Sequence, residues 1–256
     1  MQSTNQAKKP TLQLKGICKA FGGVVAADDI SLDVFPGEII GLIGPNGSGK
    51  TTLLNMISGI YSVDKGEIFF EGKRITKSAS HQRARMGIAR TFQHPRLLGR
   101  CDILTNLQVG EDLARRKGDR NSEEMIIARE KLLKLAGLGD ISLHESIDKL
   151  AYGQQKLLEI VRAIMAKPKV MLVDEPAAGL NEKEMEYIVQ LIQYAVREME
   201  IGVVIIEHSM DLIMRICDRI TVLNFGHQIA TGVPAEIQTN PEVIAAYLGG
   251  DQNDDD

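Results

Sequence analysis

The sequence predicts an α/β protein with a mostly parallel sheet carrying helices on both faces. From residue 169 onward, strand patterns and helix patterns alternate. The strand candidates there, KVMLVD and GVVIIEH, are near-continuous apolar runs, as expected of strands buried on both faces. A glycine-rich stretch, GPNGSGKTT at 44–52, joins a strand pattern to a helix pattern. The chain has 256 residues, 44% of them hydrophobic, which suits one large domain with a sizeable core.

The elements follow in order. Residues 1–10 read as a flexible tail. TLQLKGI and ISLDVF alternate as strands, and EIIGLIG is a strand running into the glycine loop. A helix is expected from Lys50 to about Ser58. GEIFFEG reads as a strand, SHQRARMG as a short helix and GIARTF as a return to strand. From about Asp102 the period becomes helical in ILTNLQVGEDLARR and EEMIIAREKLLKLAGL, with glycines at the expected helix ends. A helical subdomain is therefore expected over roughly 94–165, with Arg115, Arg116, Lys117 and Arg120 in a solvated link. NEKEMEYIVQLIQYAVREM is an amphipathic helix between the two buried strands. SMDLIMRIC is a helix, DRITVLNFGHQIATG a hairpin and NPEVIAAYLG a closing helix. The domain spans 11–248, followed by an acidic tail, 249–256.

Bulk properties exclude some classes. A net charge of −4 is no nucleic-acid footprint. Cys18, Cys101 and Cys217 are odd in number and widely spaced, so they read as free thiols in a reducing compartment, with no disulfide or metal pattern. No apolar run approaches the ~18 residues of a membrane span, and the start lacks a signal-peptide stretch. The expectation is a cytoplasmic chain, at most docked on a membrane.

The chemistry begins at the glycine loop. Gly44, Pro45, Asn46, Gly47, Ser48, Gly49, Lys50, Thr51 and Thr52 fit G-x-x-x-x-G-K-[ST] in its strand–loop–helix setting. Loop amides and a helix N-terminus cradle phosphate, Lys50 supplies a charge to the outer phosphates, and Thr51 offers a hydroxyl to Mg²⁺. In VMLVDEP, Asp174 and Glu175 end a buried strand, where open α/β sheets place ligands. One carboxylate can hold Mg²⁺, and the other, turned away by strand alternation, can polarise a water. If the GVVIIEH strand adjoins it, His208 reaches the same rim. Gln93 stands where sheet gives way to helices; its amide suits Mg²⁺ or a water. Phe21, in KAFGG, is either a platform for adenine or a core aromatic.

Taken together, KAFGG, GPNGSGKTT, TFQ, LAYGQQ, VMLVDEP, AGLN and IIEH resemble, in that order, the nucleotide-binding subunit of ABC transporters, from Leu12 to Leu248. The resemblance implies a RecA-like phosphate-loop core with an antiparallel β subdomain and a helical subdomain. It implies ATP hydrolysis with Mg²⁺ held by Thr51, Gln93 and Asp174. It makes Phe21 the adenine-stacking residue, Glu175 the catalytic carboxylate, His208 the switch histidine and Gln93 the glutamine of the subdomain joint. Leu150, Ala151, Tyr152, Gly153 and Gln154 then occupy the signature position, which in that family caps the ATP of a second, head-to-tail cassette. The sequence departs from the usual Leu-Ser-Gly-Gly-Gln at Ala151 and Tyr152, and has Asn181 where aspartate is usual. GIARTFQHPRLL, LAYGQQ, DEPAAGLN and NPEVIAAYLG are most similar to the branched-chain amino acid importer subfamily. Its partners would be a second, different ATP-binding subunit, two membrane permease subunits and an extracytoplasmic binding protein. A urea or amide importer, a lipopolysaccharide exporter and a non-transport ABC ATPase are the alternative readings.

Overall fold

Among the described residues ten strands build one sheet, and their order explains how distant motifs meet. The computed structural model describes residues 9–114 and 123–248. The expected tails and the basic cluster at 115–120 lie outside the described residues, apart from Lys9 and Pro10. In chain order the elements are β1 (Leu12–Phe21), β2 (Val24–Val34), β3 (Ile39–Ile43), α1 (Lys50–Ser58), β4 (Lys65–Phe70), β5 (Lys73–Arg74), α2 (Ser80–Met86), β6 (Ile88–Arg90), α3 (Ile103–Ala114) and α4 (Glu123–Leu135). A 3₁₀ turn at Ile147–Lys149 leads into α5 (Tyr152–Met165). There follow β7 (Val170–Asp174), α6 (Glu182–Arg197), β8 (Gly202–Ile206), α7 (Met210–Ile216), β9 (Arg219–Asn224), β10 (His227–Gly232), α8 (Pro234–Gln238) and α9 (Pro241–Leu248).

The strand order is β5-β4-β1-β2-β10-β9-β3-β8-β7-β6. From β9 to β6 all neighbours are parallel. At the other end β2, β1, β4 and β5 pair antiparallel, giving the β subdomain. Every residue of β3, β7 and β8 is buried, as their apolar runs anticipated. Two core clusters sandwich the sheet. One contains Leu53, Met56 and Ile57 of α1 with Leu42 and Leu172; the other contains Leu157, Ile160, Ile188 and Ile192 of α5 and α6 with Val173 and Val203. Between 94 and 165 the described regular elements are the helices α3, α4 and α5 and the 3₁₀ turn.

Several boundaries shifted. β2 starts at Val24, ahead of the alternating ISLDVF, because VVAADD pairs with the end of β1 through register shifts that interrupt the simple pattern. β6 is only Ile88–Arg90, so Gln93 stands in the following loop. The chain turns there because Glu159 of α5 accepts the amides of Phe92 at 3.2 Å and Arg96 at 2.8 Å. α8, which opens on Pro234, was not anticipated.

Candidate functional site

The glycine loop occupies 44–49, between β3 and α1. Gly44 and Gly49 take φ of 149° and 101°, and a Cβ on either would collide with a backbone oxygen, of Leu223 or Ala26. The loop is thus pressed against the end of β9 on one side and β2 on the other. The Gly226 amide adds a bond to Ser48 O at 3.1 Å. Lys50 is buried, with Nζ donating to Gly44 O at 2.7 Å and Pro45 O at 2.9 Å. Burial lowers its pKa, while the charges of Glu175 and Asp174 act to raise it. Asn46, Gly47 and Thr51 are exposed, Pro45 and Thr52 half-buried. The closing helix reaches this loop too: burial raises the Tyr247 pKa, and the nearby Gly44 amide acts to lower it.

β7 delivers the acidic pair, and β8 lies directly beside it, with Asp174 paired to Ile206. The two carboxylates part for a reason beyond strand alternation. Glu175 has φ of 46°, so the chain leaves the strand in the left-handed region. Asp174 turns to Arg90 at 3.0 Å, both side chains 7% exposed. Arg90 also donates to Asn55 Oδ1 at 2.6 Å and Ser58 Oγ at 3.0 Å, tying β6 to α1. Burial raises the pKa of Asp174, and the bond from Arg90 opposes that.

Glu175 is held at both oxygens. Gln93 Nε2 donates to Oε2 at 2.7 Å, and His208 Nε2 lies 3.1 Å from Oε1. Lys156 Nζ donates to the Glu175 carbonyl at 2.6 Å. Buried Glu207 fixes the strand ends, accepting the amides of Ala177 at 2.6 Å and His208 at 2.9 Å. Three separate segments, 93, 175 and 208, thus meet at one carboxylate. Each carboxylate oxygen keeps a second lone pair, so the group can still accept a proton from water.

Phe21 ends β1 and is 44% exposed; its ring meets Tyr61 edge to face at 5.2 Å, and Lys19 Nζ lies 5.2 Å from its centre. It is a surface aromatic, not a core one. Leu150 is buried, and Ala151 caps α5 without a side-chain bond. Gln154 instead reaches back to the Ala151 amide at 2.9 Å. Gly153 is buried, and a Cβ there would collide with the Glu184 carboxylate of α6. That carboxylate accepts the Asn181 amide at 3.1 Å, and Asn181 Oδ1 accepts the Glu184 amide at 3.0 Å. The missing side chain of Gly153 therefore has a use inside this chain: it lets α5 meet the capped start of α6.

Sequence reasoning missed Arg90, Lys156, Glu159, Glu207 and Tyr247. The first four are charged residues set in strand or helix patterns at positions facing the core. Their spacing among apolar neighbours was the available signal.

This arrangement is that of an ATP-binding cassette, and the chain belongs to the ABC transporter family: that family model matches residues 27–178. A second model, the branched-chain amino acid ATP-binding cassette transporter, matches 227–252. The high-affinity branched-chain amino acid transport ATP-binding protein LivG of Escherichia coli is 37% identical over 252 residues, covering 94% of this chain and 98% of LivG. The ADP conformation of MJ1267, an ATP-binding cassette of an ABC transporter, is 34% identical with a TM-score of 0.81, covering 94% of this chain and 99% of that one. The dimeric structure of MJ0796, a bacterial ABC transporter cassette, is 26% identical with a TM-score of 0.78, covering 87% and 98%.

Proposed function

We propose that this chain binds and hydrolyses ATP as the cassette subunit of an importer for branched-chain amino acids or related small polar solutes. One observation carries the hydrolytic part: the Glu175 carboxylate, held by Gln93 and His208 next to the end of β7. In this reading the phosphate-loop amides and Lys50 bind the phosphates and Phe21 stacks on adenine. Glu175 takes the proton from the attacking water, while Gln93 and His208 orient that carboxylate and the water. Thr51, Asp174 and Gln93 present oxygen donors, the set a hard divalent cation prefers, so Mg²⁺ fits them and would neutralise phosphate charge. The import part is supported by the 227–252 match and by the likeness to LivG.

Leu150 to Gln154 would serve the nucleotide of a facing cassette; a dimer is the form in which MJ0796 was solved. No helix of the described residues is long and apolar enough to cross a membrane. We place the chain on the cytoplasmic face, held there by two permease subunits, with a different second cassette opposite and an extracytoplasmic binding protein in the complex. A groove of about 330 Å³ between β6 and α3, flanked by exposed Ile60, Val109 and Leu113, offers apolar surface for such a contact.

Glu175→Gln tests the hydrolytic assignment, because it keeps shape and removes the charge. ATP affinity is expected to persist while turnover at this chain's site falls about 10²-fold or more, the scale of general-base loss. Wild-type turnover at that site would remove Glu175 from the role.

A further inference from the structure

Tyr152 stands in the 150–154 stretch at the start of α5, and its contacts give it a use. It opens α5 and is 41% exposed. Its hydroxyl donates to the backbone carbonyl of Gln93 at 3.1 Å and lies 3.5 Å from His94 Nδ1. Its ring comes within 3.6 Å of the position a Cβ would take on Gly179, in the AGLN stretch before α6. One turn along α5, Lys156 Nζ sits 5.6 Å from the centre of the same ring and donates to the Glu175 carbonyl. Burial raises the Tyr152 pKa, so the phenol stays a neutral donor near pH 7.

The contacts form two short routes from the start of α5 to Glu175. One runs from the Tyr152 hydroxyl to the Gln93 carbonyl, then from the Gln93 amide to Glu175 Oε2. The other runs along the ring to Lys156 and the Glu175 carbonyl. A glycine at 152 would supply neither. We propose that Tyr152 is a positioning residue that ties the 150–154 stretch to the Gln93–Glu175 pair of its own chain. This rests on the reading that 150–154 serves the nucleotide of a facing cassette. Occupancy of the facing site then bears on hydrolysis here, because the peptide that aims the Gln93 side chain is held by the element that contacts the other nucleotide.

The test is a double-mutant cycle in the assembled transporter, using Tyr152→Phe, Gln93→Ala and the pair. Tyr152→Phe keeps the ring and removes the hydroxyl. Gln93→Ala keeps the carbonyl that Tyr152 uses and leaves Glu175 in place, so turnover stays measurable. Losing one hydrogen bond is expected to lower kcat about threefold to tenfold, with KM for ATP within about twofold of wild type. On the Gln93→Ala background the same change is expected to have little further effect. Unchanged kcat in Tyr152→Phe would overturn the inference. So would an equal drop on both backgrounds, which would place Tyr152 directly on the facing nucleotide and leave the head-to-tail reading standing. ATP titration of the isolated Tyr152→Phe chain separates the two claims. A large loss of affinity there would put 150–154 on its own nucleotide, and both would fall.

Discussion

The Arg90–Asp174 pair gives the sharpest stability test. Arg90→Met keeps much of the side-chain volume and removes the guanidinium. Asp174 then stays buried beside β8 without its 3.0 Å partner, and Asn55 and Ser58 lose theirs. At 3.0 Å and an effective dielectric near 20 the lost attraction is about 5.5 kcal/mol. Breaking buried pairs from one side typically costs about 3–5 kcal/mol. Equilibrium urea unfolding should therefore show a loss of that size, a large share of the ~5–15 kcal/mol a domain has. Adding Asp174→Asn should recover much of it, since the unpaired carboxylate is gone. The pH dependence has a definite sign. Burial already holds the Asp174 pKa above its ordinary value, and without Arg90 it rises further. The penalty is full above that folded pKa and shrinks as pH falls through it and the carboxyl is neutralised. A loss below about 1 kcal/mol, or one that grows in acid, would refute the reasoning.

Two further outcomes are expected. Asp102 caps α3, accepting the Thr105 amide at 2.8 Å, and its pKa is lowered to about 2, chiefly by bonds from Thr105 and then by His144. Asp102→Ala should cost about 1 kcal/mol near neutral pH. The wild-type advantage should be complete above the unfolded carboxylate value near 4 and be lost as pH falls through about 2, measured by unfolding across pH. Burial pushes the Cys217 thiol up to about 12, whereas Cys18 and Cys101 are half-buried. Iodoacetamide at pH 8 should label Cys18 and Cys101 before Cys217 in peptide mass spectra; equal labelling would contradict the burial.

The fold was legible because its signals are local. The apolar runs of β7 and β8, the glycines before Lys50 and the 3.6-residue period of α6 each declare an element without distant partners. Adjacency of β7 and β8 was only a condition in the sequence, and it put His208 on Glu175. Arg90, Glu159 and Glu207 were not legible as partners, because each depends on a residue dozens of positions away. Glu175 looked like half of an alternating pair; its left-handed φ is a property of the turn after β7, which residue type does not announce. At Gly153 the residue type does not announce its neighbour: the Glu184 carboxylate of α6 lies where a Cβ would stand.

The central claim, ATP-driven import of branched-chain amino acids, is tested most directly by uptake. The chain is assembled with its permease subunits and second cassette in proteoliposomes, ATP is enclosed on the cassette side, and labelled leucine is supplied with the binding protein on the other. Uptake should depend on ATP and be lost in Lys50→Ala, which removes the ammonium group proposed to meet the outer phosphates. ATP turnover without leucine, isoleucine or valine uptake would contradict the branched-chain substrates and leave only the related polar solutes, and full uptake by Lys50→Ala would contradict the role proposed for this chain's nucleotide site.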